Sequence, residues 1–208
     1  MNSKRIILTA RILSMAFTPF YLPLVGMLAL LTFSYMSQLP WAYKLVVVAM
    51  TYLFTILAPT MLIHLYRRYH GWTHLQLGKK ERRMVPYIIS ILCYFLCYYL
   101  MAVANIPHFM ASILIAALAI QVVCAFINVW WKISTHTAGI GGVAGALLAF
   151  AFIFGFNPLT WLCVTLVVAG LVGTARIILR QHTLSQVVVG FLLGAIGGFY
   201  IILYTNIT

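Results

Sequence analysis

The chemistry in this chain concentrates in one polar stretch between two apolar runs, from Arg176 to Gln186. It reads Arg176, five residues, His182, three residues, Gln186, with Arg180 and Gln181 between. A planar guanidinium can grip a phosphate through two parallel hydrogen bonds. An imidazole exchanges protons near neutral pH and can attack an electrophile. If the chain is helical from Thr183 onward, His182 and Gln186 lie four residues apart on one face, where the amide can fix the ring. Groups this polar are rarely carried among apolar spans without a task. The stretch reads as half of a phosphate-handling site.

Two other segments offer the remainder. Ser134-Thr135-His136 precedes the glycine-rich run Gly139 to Gly145. A hydroxyl there can cap a helix, and free N–H groups at a helix start face an anion. Taken alone, a plain N-cap with an interfacial histidine is the simpler account. Lys79, Lys80 and Arg83 would share a helical face with Pro86 and form a convergent anion site, although a basic loop at the membrane surface is the ordinary reading. Arg180 fits snorkelling to the headgroups. Arg176 sits deeper, and for it both snorkelling and phosphate binding stand.

These segments hang on apolar elements. The chain has 208 residues, 64% hydrophobic and 7% charged, too little charge to clothe a soluble domain. Seven runs reach the length that crosses a bilayer, where about 20 residues suffice. The expected fold is all-α: a polytopic transmembrane helical bundle of six to seven spans, forming one domain over 1–208. Residues 1–15 read as a short basic arm with Lys4, Arg5 and Arg11, followed by a retained first span from Ala16 to Met36. The second span runs from Leu45 to Leu65, with a kink at Pro59. Pro86 opens the third, and Gln121 and Asn128 inside the fourth are placed to bond neighbouring helices. Gly190, Gly194 and Gly198 in the last span allow a close helix–helix approach.

Two spans separate Arg83 from Ser134, and two more separate His136 from Arg176, so the three polar segments emerge on one side. Of 13 Lys and Arg, 12 fall on that side and only Lys44 on the other. The positive-inside rule places that side in the cytoplasm. The formal charge of +12 then belongs to topology and anionic lipid, not to a nucleic-acid partner. The chain has no Asp, and Glu81 is its one acid. That excludes a carboxylate-pair hydrolase and a carboxylate-held magnesium or calcium ion. His70 and His74 are four residues apart but lack a thiolate or carboxylate companion, so no metal site is expected. The four cysteines fall inside apolar runs without a CxxC pair and read as buried, inert thiols.

Taken together the motifs resemble the type 2 phosphatidic-acid phosphatase superfamily. That family's third motif has Arg, five residues, His, three residues, Asp; Arg176, His182 and Gln186 match it except for Gln in the last place. Its second motif usually reads Pro-Ser-Gly-His, against Ile133-Ser134-Thr135-His136 here. Its first is Lys, six residues, Arg-Pro, of which a shortened Lys80 to Pro86 remains. The resemblance covers residues 79–204; residues 1–78, with the arm, two spans and a loop, lie outside it. It implies a cofactor-free, metal-independent integral membrane phosphatase of the cell membrane, acting on a lipid phosphate or pyrophosphate. His182 would form a phosphohistidine, and His136 would protonate the leaving group. Lys79, Lys80, Arg83, Ser134, Thr135 and Arg176 would hold the phosphoryl oxygens. Gln186 can accept the imidazole N–H but supplies no negative charge, so the alternative is a catalytically impaired lipid-phosphate-binding protein.

Overall fold

Long apolar runs have one way to satisfy their backbone polar groups in hydrocarbon, which is to bond them internally as helices. The computed structural model describes residues 3–33, 35–71 and 84–207. These form α1 (Ser3–Ala16), α2 (Leu22–Phe33), α3 (Trp41–Tyr52), α4 (Ala58–Tyr69), α5 (Met84–Val103), α6 (His108–Ile127), α7 (Thr135–Phe154), α8 (Leu159–Ile178) and α9 (Leu184–Ile207). No strand occurs among the described residues. A 3-10 turn at Pro19–Tyr21 joins α1 to α2, and a π turn at Leu53–Leu57 joins α3 to α4. Counting each joined pair once, seven helical stretches are long and apolar enough to cross a membrane. The chain is a multi-pass helical membrane protein.

The bend expected at Pro59 is the π turn just before it. Proline brings no N–H and presses on the carbonyl four residues back, at Thr55, and a wider turn relieves both problems. The buried hydroxyls of Thr51 and Thr55 donate back to the Val47 and Thr51 carbonyls at 2.8 and 2.7 Å.

The N-terminus differs from the sequence expectation. Residues 3–16 are not an arm but the helix α1, lying along α8, with Arg5 to Leu13 facing Val167 to Ile178. Arg5 and Arg11 occupy exposed positions, while Ala10 and Ser14, one turn apart, are buried. The cysteines also differ in part: Cys93, Cys97 and Cys124 are buried, but Cys163 is exposed on α8.

The closest packing joins α7 to α9, which run parallel. A Cβ on Gly190 would lie 2.6 Å from the Ser134 carbonyl oxygen, and one on Gly194 would collide with the Ala138 carbonyl. Only glycine permits that approach. It fixes the register, setting the starts of α7 and α9 side by side. The main apolar core, with Met27, Met101, Met110, Leu114 and Ile202, lies towards the opposite end; a smaller cluster of Ile120, Cys124, Ile133 and Ala138 lies beneath those helix starts.

Candidate functional site

The end of α8 places the first functional pair. The Gln181 N–H bonds the Arg176 carbonyl at 3.1 Å and the Arg180 N–H bonds the Ile177 carbonyl at 2.9 Å. This is the Schellman pattern of helix termination. It needs a left-handed residue, and Arg180 takes that place with φ of 52°. The reversal turns the chain back over the helix end, so His182 returns to the Arg176 side chain. An Arg-to-His spacing of six thus follows from the closing hydrogen bond.

The start of α9 places the second pair. The Thr183 hydroxyl accepts the Gln186 N–H at 3.5 Å, and the Gln186 Oε1 accepts the Thr183 N–H at 3.2 Å. That reciprocal arrangement is a capping box. The same Oε1 lies 3.3 Å from His182 Nδ1, and the Lys132 carbonyl lies 3.4 Å from it. Two acceptors face Nδ1, so Nδ1 carries the proton. The Arg176 Nη2 donor stands 3.5 Å from Nε2, so Nε2 is the free base. Gln186 therefore selects a tautomer whose lone pair points towards Arg176.

The start of α7 supplies the third part. The Ser134 Oγ accepts the Thr137 N–H at 3.4 Å as N-cap, and the Ser134 N–H bonds the Gln186 carbonyl at 3.3 Å, tying the two helix starts together. Two positive helix ends meet there. His136 projects from the first turn of α7 and lines the same cavity as Arg176 and His182, within electrostatic range of both. Its Nδ1 and the Arg176 Nε are buried without a partner. Buried polar atoms that lack partners are costly and mark where a polar ligand would be welcome.

Of the expected site residues, Arg176, His182, Gln186 and His136 come together, and Thr135 lines the cavity beside them. Ser134 is fully buried, its hydroxyl is engaged as the helix cap, and it does not line that cavity. Lys79, Lys80 and Arg83 lie outside the described residues, as do Glu81 and His74. Asn128 bonds a neighbouring helix as expected, donating to the Tyr87 hydroxyl at 2.6 Å, whereas the buried Gln121 Oε1 has no partner.

Two contributors carried no sequence signal. Ser14 of α1 accepts from Arg176 Nη1 at 2.7 Å, across 162 residues of chain. The Lys132 carbonyl is a backbone group, which no motif reports. Burial, then the Arg176 guanidinium and Lys132, push the His182 imidazole down to about 4, against the pull of its hydrogen bonds to Gln186 and Lys132. His182 is accordingly neutral at physiological pH.

Fold and site together define a multi-pass helical membrane protein with the half-buried Arg176 guanidinium and two imidazoles lining one cavity. Comparison with family models, with curated proteins and with solved structures gives no match.

Proposed function

We propose that this protein is an integral membrane phosphatase that hydrolyses a lipid phosphate or pyrophosphate through a phosphohistidine at His182. The observation that carries the reading is the His182 geometry: Nδ1 is tied to Gln186 and Lys132, and a neutral Nε2 faces a guanidinium with His136 on the same cavity. The resemblance of the three motifs to type 2 phosphatidic-acid phosphatases supports the same chemistry, with residues 79–204 as the phosphatase-like core.

In the first step the Nε2 lone pair attacks phosphorus. An N–P bond forms, the P–O bond to the lipid breaks, and the leaving oxygen takes a proton from His136. The phosphate's own negative charge stabilises the imidazolium form of His136. Arg176 holds two phosphoryl oxygens and meets the charge of the transition state. In the second step a water attacks phosphorus and gives its proton to His136. The N–P bond breaks, freeing neutral His182 and inorganic phosphate. Lys79, Lys80 and Arg83 would add cations. No metal takes part, and the site faces the cytoplasm at the cell membrane.

A second reading rests on Gln186, which fixes the ring but adds no charge. On that reading the site binds a lipid phosphate and turns it over slowly or not at all. One assay decides between them: phosphate release from phosphatidate, phosphatidylglycerophosphate and isoprenoid pyrophosphate by purified protein with EDTA present. Release that vanishes in His182→Ala supports the enzyme. No release by wild type, with release gained in Gln186→Asp, supports the impaired site.

A further inference from the structure

The cavity that holds the site at one end is far larger than a phosphoryl group requires. It measures about 1070 Å³, at the upper limit of pockets that enclose a whole small molecule. Its cations and imidazoles, Arg176, Lys132, His136 and His182, gather at that end. Much of the remaining wall is apolar, with Val25 from α2, Ile113 and Ala117 from α6, Val143 from α7, and Val164 from α8. Small residues keep it wide: Gly26, Ala29, Ala117 and Ala146 all line it.

The cavity has a side opening. The helix α2 packs on α3, α6 and α7, whereas α8 packs on α1, α7 and α9. Val25 on α2 and Val164 on α8 both line the cavity and are each 49% exposed, so its wall is open along these two helices. In a bilayer that slot opens to hydrocarbon, at the depth of the spans.

A cationic end joined to a long apolar chamber with a lateral slot complements one kind of molecule, an amphiphile with an anionic head. We propose that the chamber between α2, α6, α7 and α8 encloses the hydrocarbon tail of the phosphorylated lipid, whose head lies at Arg176, His136 and His182. This rests on the phosphate-site reading above and adds to it: the tail is held by the protein and not left in the bilayer. One wall, α2, belongs to the part of the chain outside the phosphatase-like core. Hydrocarbon gains little by moving from lipid into an apolar cavity. The chamber therefore selects by shape and reach, and affinity comes from the head.

The test uses hexadecyl phosphate carrying a diazirine at its terminal carbon, with the full-length protein in nanodiscs. Irradiation and peptide mapping are expected to place adducts on Val25, Ile113 and Ala117, and excess unmodified hexadecyl phosphate is expected to remove them. Adducts on the outer residues Leu92, Phe95 and Val122, or labelling that competitor does not reduce, would overturn the proposal. Filling the chamber with Ala117→Phe or Val143→Phe is expected to lower the ratio of kcat/KM for hexadecyl phosphate over butyl phosphate about tenfold. An unchanged ratio in a folded variant counts against it. Competed chamber labelling without phosphate release upholds the tail site and refutes the hydrolase. Phosphate release with scattered labelling does the reverse.

Discussion

Replacing Gln186 by glutamate keeps the shape of the side chain and changes only its charge. In the protein the Gln186 Oε1 takes two N–H groups, from Thr183 at 3.2 Å and His182 Nδ1 at 3.3 Å. A carboxylate can make both bonds, so the capping box survives. On the proposed mechanism the His182 ring acquires positive charge during attack on phosphorus, and the bond to Nδ1 then becomes charge-assisted on both sides. Neutral hydrogen bonds contribute about 0.5–1.5 kcal/mol net and those to charged groups about 1.5–3 kcal/mol. The difference, about 1 kcal/mol, corresponds to a five- to tenfold rise in kcat at roughly 1.4 kcal/mol per decade. Gln186→Leu removes both bonds: kcat is expected to fall about two- to tenfold, the Lys132 carbonyl retaining part of the tautomer control. The helix start loses the reciprocal half of the box, about 0.5–1.5 kcal/mol, while the Thr183 cap on the backbone N–H of residue 186 remains. The assay is steady-state phosphate release, with melting temperature measured alongside. Turnover unchanged in both variants, at unchanged melting temperature, would refute the role given to Gln186.

Further predictions follow from the same geometry. On the proposed mechanism Arg176→Lys cannot bond the phosphate in parallel pairs and is expected to lose about 10²–10³ in kcat, read by phosphate release. Gly190→Ala would drive its Cβ against the Ser134 carbonyl and is expected to cost about 1–3 kcal/mol in thermal unfolding, whereas Gly170→Ala, with nothing within 4 Å, should be neutral or stabilising. The imidazole of His182 is held down to about 4 from 6.5, so between those values the unfolded chain binds more protons than the folded one. Stability should therefore fall as pH is lowered from about 6.5 to about 4, and the slope in melting temperature should shrink in His182→Gln. Arg180→Gly relieves a left-handed residue and should leave the melting temperature equal or higher, the relief of about 1–2 kcal/mol opposing glycine's entropy.

The parts of the site that could be read from sequence are those fixed by local hydrogen-bond geometry. The interval between Arg176 and His182 reflects the bond that closes α8, and the interval from His182 to Gln186 reflects the first turn of α9. The role of the Gly190, Gly194 and Gly198 series was equally plain, because close helix approach leaves a periodic trace. Ser14 left none. It is one hydroxyl in a short helix that reads from its Arg5 and Arg11 as a basic arm, and its meaning depends on α1 lying along α8. The Lys132 carbonyl could not be read at all, since backbone groups are the same at every position. Ser134 reads as a helix cap from its place before the glycine-rich run and as a phosphate ligand only through the family resemblance; its hydroxyl is engaged as the cap. Cys163 read as buried because its run is apolar, but apolar positions on a membrane helix face lipid as readily as protein.

The most direct test is to capture the phosphoenzyme. Protein mixed with a labelled lipid phosphate, quenched in alkali and digested is expected to yield an acid-labile phosphate on the peptide bearing His182. His136→Ala should release the lipid more slowly and His182→Ala should take no label. Phosphate release by wild type with no label on that peptide, or release that persists in His182→Ala, would contradict the account.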